Sequence, residues 1–250
     1  MAAASLITGA CLRTRRLCTI MVLVGLLVTA GCQGPQKRIV GLSVQGRPIE
    51  CQVFGGGPDV VLILATIHGD EGAGTPLVGR LSDYLTRHRN VLDGRRVVLM
   101  PVANPDGCAH HTRHNVNGID LNRNFPAPNF TRTDRHGPAP LSEPESRAVK
   151  AVLDVYMPDR IVTIHQPLAC IDYDGPAEDL ARAMGDWTDL PVRRIGSMPG
   201  SLGSYAGITL SVPIITLELP ESAGVIDEEA LWRKYGQMLL AAICHPEPIE

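Results

Sequence analysis

Val60-Val61-Leu62-Ile63-Leu64 is an unbroken run of branched apolar residues, and a strand without polar alternation has to be covered on both faces. That requirement excludes a half-solvated antiparallel sheet and calls for helices above and below. The rest of the chain supplies them. Strand-like segments at 38–44, 49–54, 59–67, 95–102, 160–165, 192–197 and 213–219 alternate with helix-like segments at 75–88, 143–156, 177–189 and 228–243. The pattern predicts an α/β fold, a three-layer α/β/α sandwich with a mixed, mostly parallel central sheet. Ser142-Glu-Pro-Glu145 reads as a capping box for the second helix, with Glu145 reaching back to the Ser142 backbone.

Residues 1–31 are of another kind. Arg13, Arg15 and Arg16 precede a 14-residue apolar run from Leu17 to Ala30, short for a bilayer span and suited to a secretory signal. Ala30-Gly31-Cys32 then resembles the lipobox of bacterial lipoproteins, with Thr29 where leucine is usual. On that reading residues 1–31 are cleaved, Cys32 is lipidated as the mature N-terminus, 32–37 form a tether, and 38–250 form the domain. A plain cleaved signal or a short N-terminal anchor are the alternatives, and all three export the domain. The expected location is the periplasm, on a membrane through the lipid. Gln33 after the lipid cysteine is not the aspartate that retains lipoproteins in the inner membrane of some bacteria, which favours the outer one.

Partner classes narrow by charge and by aromatic content. A net charge of −3 and 4% aromatic residues leave no nucleic-acid footprint. Without residues 1–31 the chain loses three arginines and no acid, leaving 20 basic residues against 26 acidic, so no polybasic membrane patch remains. Cys51, Cys108, Cys170 and Cys244 remain in an oxidising compartment, as two disulfides or as isolated buried thiols; no C-x-x-C spacing occurs among them.

Chemistry should gather beyond the carboxyl ends of strands in such a fold. His68 and Glu71 follow the 59–67 strand, His165 ends the 160–165 strand, and Glu218 lies near the end of the 213–219 strand. Two histidines and one carboxylate make the usual ligand set of a catalytic zinc site with one open position, and a fourth, non-ligating carboxylate is needed as general base. Each residue also has a plainer reading: His165 as a satisfied core histidine, Glu71 as a helix N-terminal charge. Their shared position favours the site.

His68-Gly-Asp-Glu71, Asn104-Pro-Asp-Gly107, Gly118-Ile-Asp-Leu-Asn-Arg-Asn-Phe-Pro126, Ser142-Glu-Pro-Glu145, Ile164-His-Gln-Pro-Leu-Ala-Cys-Ile171 and Ile215-Thr-Leu-Glu-Leu-Pro220 together resemble a zinc carboxypeptidase. The His165-to-Ile171 run and Pro199-Gly-Ser-Leu-Gly-Ser-Tyr205 resemble the murein peptide amidase branch, which cleaves the γ-D-glutamyl–diaminopimelate amide of cell-wall stem peptides. The likeness runs from about 66 to 220. It implies one zinc ion on His68, Glu71 and His165, Glu218 as the catalytic carboxylate, and Arg113 as the oxyanion-stabilising arginine. Asn122 and Arg123 would hold the carboxylate of the departing residue.

Asp120 would orient His68, or simply make an Asx turn beside Gly118. Ser201, Ser204 and Tyr205 would line the substrate pocket, or else begin a helix. Arg113 and Arg123 have a plainer reading as solvated loop charges.

Three features depart from the branch: Gln166 stands where it has an acid, the 125–142 segment is short, and the amidases of that branch are cytosolic. The expected substrate is a murein stem peptide, or another peptide with a free C-terminal carboxylate. A general zinc carboxypeptidase or acyl-amino-acid deacylase shares the mechanism, and a lipid-anchored, inactive wall-peptide binder is the non-enzymatic alternative.

Overall fold

The computed structural model describes residues 34–246, so the leader, the lipobox and Cys32 lie outside the described residues. Eight strands form one sheet: β1 (Gln36–Leu42), β2 (Pro48–Gly55), β3 (Asp59–Ala65), β4 (Arg95–Met100), β5 (Arg160–His165), β6 (Leu168–Asp174), β7 (Val192–Arg193) and β8 (Ile214–Pro220). Their spatial order is β1-β2-β4-β3-β5-β8-β6-β7. The four central strands β4, β3, β5 and β8 run parallel; β2 and β6 pair antiparallel with β4 and β8, β1 pairs antiparallel with β2, and β7 pairs parallel with β6. The expected mixed sheet is what forms.

Strand periodicity sorts the core into two layers. Val61, Ile63 and Ala65 of β3 pack with helices α1 (Gly74–Arg87), α4 (Glu178–Gly185) and α5 (Glu228–Cys244). Val60, Leu62 and Leu64 face the other way, onto α3 (Pro144–Tyr156) and the 121–127 segment. Both faces of β3 are thus dry, as its run of apolar residues requires. A short helix α2 (Pro105–His110) follows β4, capped by Asn104, whose side chain accepts from the Gly107 N–H.

Several expectations need correction. The Ser142–Glu145 capping box does not form: Glu143 holds the N-cap position without a side-chain bond. Glu145 is fully buried and points away from the helix start, accepting from the Val44 N–H at 3.0 Å and from Asn115 Nδ2 at 3.1 Å. Tertiary donors from the turn after β1 and from the 115 loop outcompete a local cap, because a carboxylate inside the protein needs partners on every side. Only Val192–Arg193 of the 192–197 segment is strand. The run 168–174, absent from the expected strands, is β6; it pairs with β8 from Leu168↔Pro220 to Asp174↔Ile214. Its two aspartates hid it, since acids are poor strand formers until the fold supplies a use for them. None of the four described cysteines, Cys51, Cys108, Cys170 and Cys244, is in a disulfide. Among the described residues no helix is long and apolar enough to cross a membrane.

Candidate metal centre and active site

The site lies beyond the carboxyl ends of β3, β5 and β8. His165 is the last residue of β5 and sits in register opposite Glu218 of β8. β3 ends at Ala65, and Thr66 then takes a left-handed conformation (φ 53°) that turns the chain toward His68. Such a conformation is costly for a β-branched residue. It is held by the Thr66 carbonyl, which accepts from the Asn104 N–H at 2.9 Å, and by a 2.7 Å hydroxyl contact with Thr75. Gly69 then runs so close to Gly107 that a Cβ would lie 2.0 Å from the Gly107 carbonyl carbon. The glycines of two motifs, His68-Gly-Asp-Glu71 and Asn104-Pro-Asp-Gly107, therefore meet back to back.

Three ligating groups converge in the buried space this creates. His68 Nδ1 lies 2.7 Å from Glu71 Oε1, His165 Nδ1 lies 2.8 Å from Glu71 Oε2, and the two Nδ1 atoms are 3.2 Å apart. The edge of a tetrahedron around zinc, with ligand bonds of about 2.0–2.1 Å, is roughly 3.3 Å. The donor set and its spacing therefore fit a single zinc ion, and two imidazoles and a carboxylate aimed at one point ask for a cation. His68 Nε2 stands 3.1 Å from Asp120 Oδ1, which directs the Nδ1 lone pair inward.

Asp120 makes the contacts of both readings, since the same Oδ1 also accepts from the Asn122 N–H at 3.0 Å and caps the turn Leu121–Arg123. Burial by itself would raise the Glu71 and Asp120 pKa values. The histidines outweigh it, His165 and His68 at Glu71 and His68 at Asp120, and both carboxyls are held well below the usual range. Burial would lower the His68 pKa, but Asp120 and Glu71 hold it above the ordinary value.

The cluster opens into a cavity of about 320 Å³. Arg113, Asn122 and Arg123 line it together with Glu218, Gln166, Asp172, Asp174 and Ser201. Arg113 donates through Nη1 to Glu71 at 2.9 Å and through Nε to Asp120 at 3.2 Å; neither bond uses Nη2. Arg123 donates to the Asn122 carbonyl at 2.7 Å. Burial pushes its pKa down, and among the described residues it forms no ion pair with a carboxylate. Both arginines are thus held in the cavity and are not free loop charges. Burial pushes the Glu218 carboxyl above the ordinary range, against the opposing pull of His165.

The segment from Pro199 to Tyr205 seats this wall. The Gly200 carbonyl accepts from the Phe125 N–H, the Leu202 N–H donates to Asn122 Oδ1, and a Cβ on Gly200 would strike the Arg123 carbonyl. Ser201 borders the cavity, but its hydroxyl accepts from the Ser204 N–H and opens the helical turn Ser204–Thr209, so here the helix-start reading and the lining reading coexist. Tyr205, expected on the pocket wall, is instead buried. Its ring stacks on Phe125 at 6.3 Å, in the core under α3, because the helix turns that large apolar face inward.

Two features go beyond the sequence reading: a pair of acids it did not place at the site, and the bonds of a glutamine it noted only as a departure. Asp172 and Asp174 line the cavity, and only the pairing of β6 with β8 brings them there. Gln166 ties the site together: its Oε1 accepts from the Ala73 N–H, its Nε2 donates to the Pro220 carbonyl, and its own N–H donates to Glu71 Oε2.

The sequence profile of zinc carboxypeptidases matches residues 36–173. The chain belongs to the zinc carboxypeptidase family. It is similar to murein peptide amidase A of Escherichia coli strain K12, 35% identical over 181 residues that cover 64% of this chain and 70% of that protein. The catalytic chain of human carboxypeptidase N is 31% identical over 150 residues, covering 44% of this chain and 33% of that one. Among solved structures, the murein-tripeptide amidase of Escherichia coli O157 superposes with a TM-score of 0.66 at 30% identity, covering 87% of this chain and 95% of that one. Carboxypeptidase A from Helicoverpa armigera, 20% identical, shares the fold with a TM-score of 0.70 over 85% of this chain and 69% of its own. This chain is accordingly a hydrolytic enzyme, a zinc peptidase or amidase of the carboxypeptidase type.

Proposed function

We propose that the enzyme removes the C-terminal residue of a murein tripeptide, cleaving the γ-D-glutamyl–diaminopimelate amide. The observation that carries this reading is the cavity itself. The His68–Glu71–His165 cluster and Glu218 share it with Arg123, a half-buried cation that forms no ion pair with a carboxylate among the described residues, so a scissile amide at the cluster puts a free carboxylate within an arginine's reach. The likeness to proteins named murein peptide amidase supports the choice of amide.

Zinc bound by His68, Glu71 and His165 would polarise the scissile carbonyl and acidify a water. In the proposed reaction Glu218 takes the proton from the attacking water and returns it to the leaving amine, a role suited to a carboxyl raised by burial. Arg113 donates to the oxyanion, and such donors commonly contribute on the order of a hundredfold in rate. Asn122 and Arg123 clamp the free carboxylate beside the cut bond. Asp120 keeps the His68 tautomer and ring orientation.

The test is mass spectrometry of L-Ala-γ-D-Glu-meso-diaminopimelate incubated with the zinc-loaded protein, beside Glu218→Gln. Release of diaminopimelate by wild type alone supports amidase chemistry and the role of Glu218. A tetrapeptide stem, whose corresponding carboxylate is blocked, is cut poorly if the Arg123 clamp operates; equal rates on both stems refute the clamp. Trimming of ordinary peptides without release of diaminopimelate assigns the enzyme to general carboxypeptidases instead.

We also propose that the chain is exported and tethered through a lipid on Cys32, supported by the arginines, the apolar run and the Ala30-Gly31-Cys32 sequence before it. Metabolic labelling with a fatty-acid analogue tests this. Label in the wild-type protein and none in Cys32→Ser is the expected result, and an unlabelled wild type rules the tether out.

A further inference from the structure

Ser142-Glu-Pro-Glu145 opens α3, yet Glu143 makes no side-chain cap bond and Glu145 points away from the helix start. Neither glutamate lines the catalytic cavity, and both are buried. What they hold is the segment from Arg113 to Arg123, which carries the proposed oxyanion donor Arg113, Asp120 and the Asn122–Arg123 clamp. Asn115 closes one end of that segment. Its Oδ1 accepts from the Asn117 and Ile119 N–H groups, each at 3.1 Å. Its Nδ2 donates to Glu143 Oε2 at 2.8 Å and to Glu145 Oε2 at 3.1 Å. Every hydrogen-bonding position of this amide is thereby filled.

Asn117 Nδ2 donates to the same Glu143 oxygen at 2.8 Å, and the Ser142 hydroxyl donates to the other at 2.9 Å. At the far end Asn124, fully buried directly after Arg123, accepts from the Glu143 N–H at 3.2 Å. Glu143 therefore clasps both ends of the segment, by its carboxylate before Asp120 and by its backbone after Arg123. Two amides converging on one oxygen favour a charged acceptor over a neutral one. The start of α3 offsets part of that charge, since a helix N-terminus favours an anion.

A loop pinned to a helix start holds its side chains in place before substrate arrives, which spares the ordering cost on binding and keeps reacting groups in register. We propose that Glu143 is a positioning residue for this active site: through Asn115 and Asn117 it sets where Arg113 and Arg123 point. Glu145 braces the same Asn115 amide and ties it to the β1–β2 turn, where it accepts from the Val44 N–H. The inference rests on the proposed reaction in two respects, that Arg123 meets the substrate's free carboxylate and that Arg113 meets the oxyanion.

Steady-state kinetics of zinc-loaded Glu143→Ala, with rates expressed per bound zinc, test it. The substrates are the murein tripeptide, or an N-acylated dipeptide if the tripeptide is left uncut, each beside the same peptide with its free carboxylate converted to a carboxamide. Glu143→Ala should lower kcat/KM on the free acid about 10–100-fold and cut the acid-over-amide preference by at least about threefold, with zinc still bound. Glu143→Gln should recover most of that loss, because its side-chain carbonyl still accepts from Asn115 and Asn117. A network that only stabilises the fold would lower Tm and leave kcat/KM and the preference per bound zinc as in the wild type, and that result overturns the proposal. So does a Glu143→Gln protein no better than Glu143→Ala. If Glu143→Ala does not fold, Asn117→Ala decides: it removes one bond to Glu143 from an exposed loop position, and an unchanged preference overturns the proposal. A wild type that cuts acid and amide alike refutes the Arg123 clamp by itself. In that event kcat per bound zinc reports on Arg113, and a Glu143→Ala value within about twofold of wild type overturns the positioning role.

Discussion

At the level of single residues, Glu218 on the cavity wall and Asp120 behind His68 are carboxylates whose surroundings set opposite behaviour. Glu218 is raised by burial, whereas Asp120 is held low by His68. A proton carrier needs the first environment and an orienting acceptor needs the second. Glu218→Gln should lower kcat about 10²–10⁴-fold, the usual worth of a positioned general base, while metal analysis still finds one zinc per chain. Asp120→Asn should instead weaken zinc binding about 10–100-fold, read by competition with a chelator, because His68 loses the acceptor that fixes its ring. The sequence showed both residues, but for Asp120 it left an Asx turn and an orienting role open; the structure has one oxygen serving both.

Elements meet at the motifs. His68-Gly-Asp-Glu71 lies on the loop after β3 and Asn104-Pro-Asp-Gly107 begins α2, and their glycines are in backbone contact. Gly69→Ala should cost about 1–3 kcal/mol, the range for forcing an extra methyl into a packed site, seen as a lower Tm. It should also weaken zinc binding, since the displaced loop carries two of the three ligands.

α2 is joined to the turn between β1 and β2 as well. Fully buried Asp106 accepts from the Ser43 hydroxyl at 2.8 Å, the Gln45 N–H at 2.9 Å and Arg47 at 2.6 Å. Burial would raise the Asp106 pKa, but these donors outweigh it and hold the carboxyl below its ordinary value of 3.8. A depressed pKa stabilises the fold above the unfolded-state value, and that contribution is lost as pH falls through the folded one. Asp106→Asn should therefore lower stability at pH 7 by about 1–3 kcal/mol, chiefly through the buried bonds to Ser43 and Gln45. The deficit relative to wild type should shrink as thermal melts are moved below pH 3.8.

For the described domain as a whole, the candidate ligands come from segments nearly 100 residues apart, His68 and Glu71 after β3 and His165 at the end of β5. Zinc held by these three residues would tie neighbouring parallel strands together and would bind the folded chain alone. Saturation at about 100 times Kd should add roughly 2.7 kcal/mol, or on the order of 5–10 °C in Tm for a chain of this size. Stripping the metal with a chelator should reverse that shift, and an unchanged Tm would show that zinc does not link the strands.

The sequence by itself determined the layered α/β architecture, because unbroken apolar runs admit only strands covered on both faces. It also determined the carboxyl-end location of His68, Glu71, His165 and Glu218, because those residues directly follow or end such runs. Tertiary structure decided where the isolated polar residues went. Glu145 left its helix cap for donors in the β1–β2 turn and the 115 loop, Tyr205 turned into the core, and Asp172 and Asp174 reached the cavity on a strand that local preference disfavours. The physical reason is the same in each case. Apolar periodicity is a local signal that survives in the sequence, whereas a polar side chain goes wherever partners from distant segments can satisfy it.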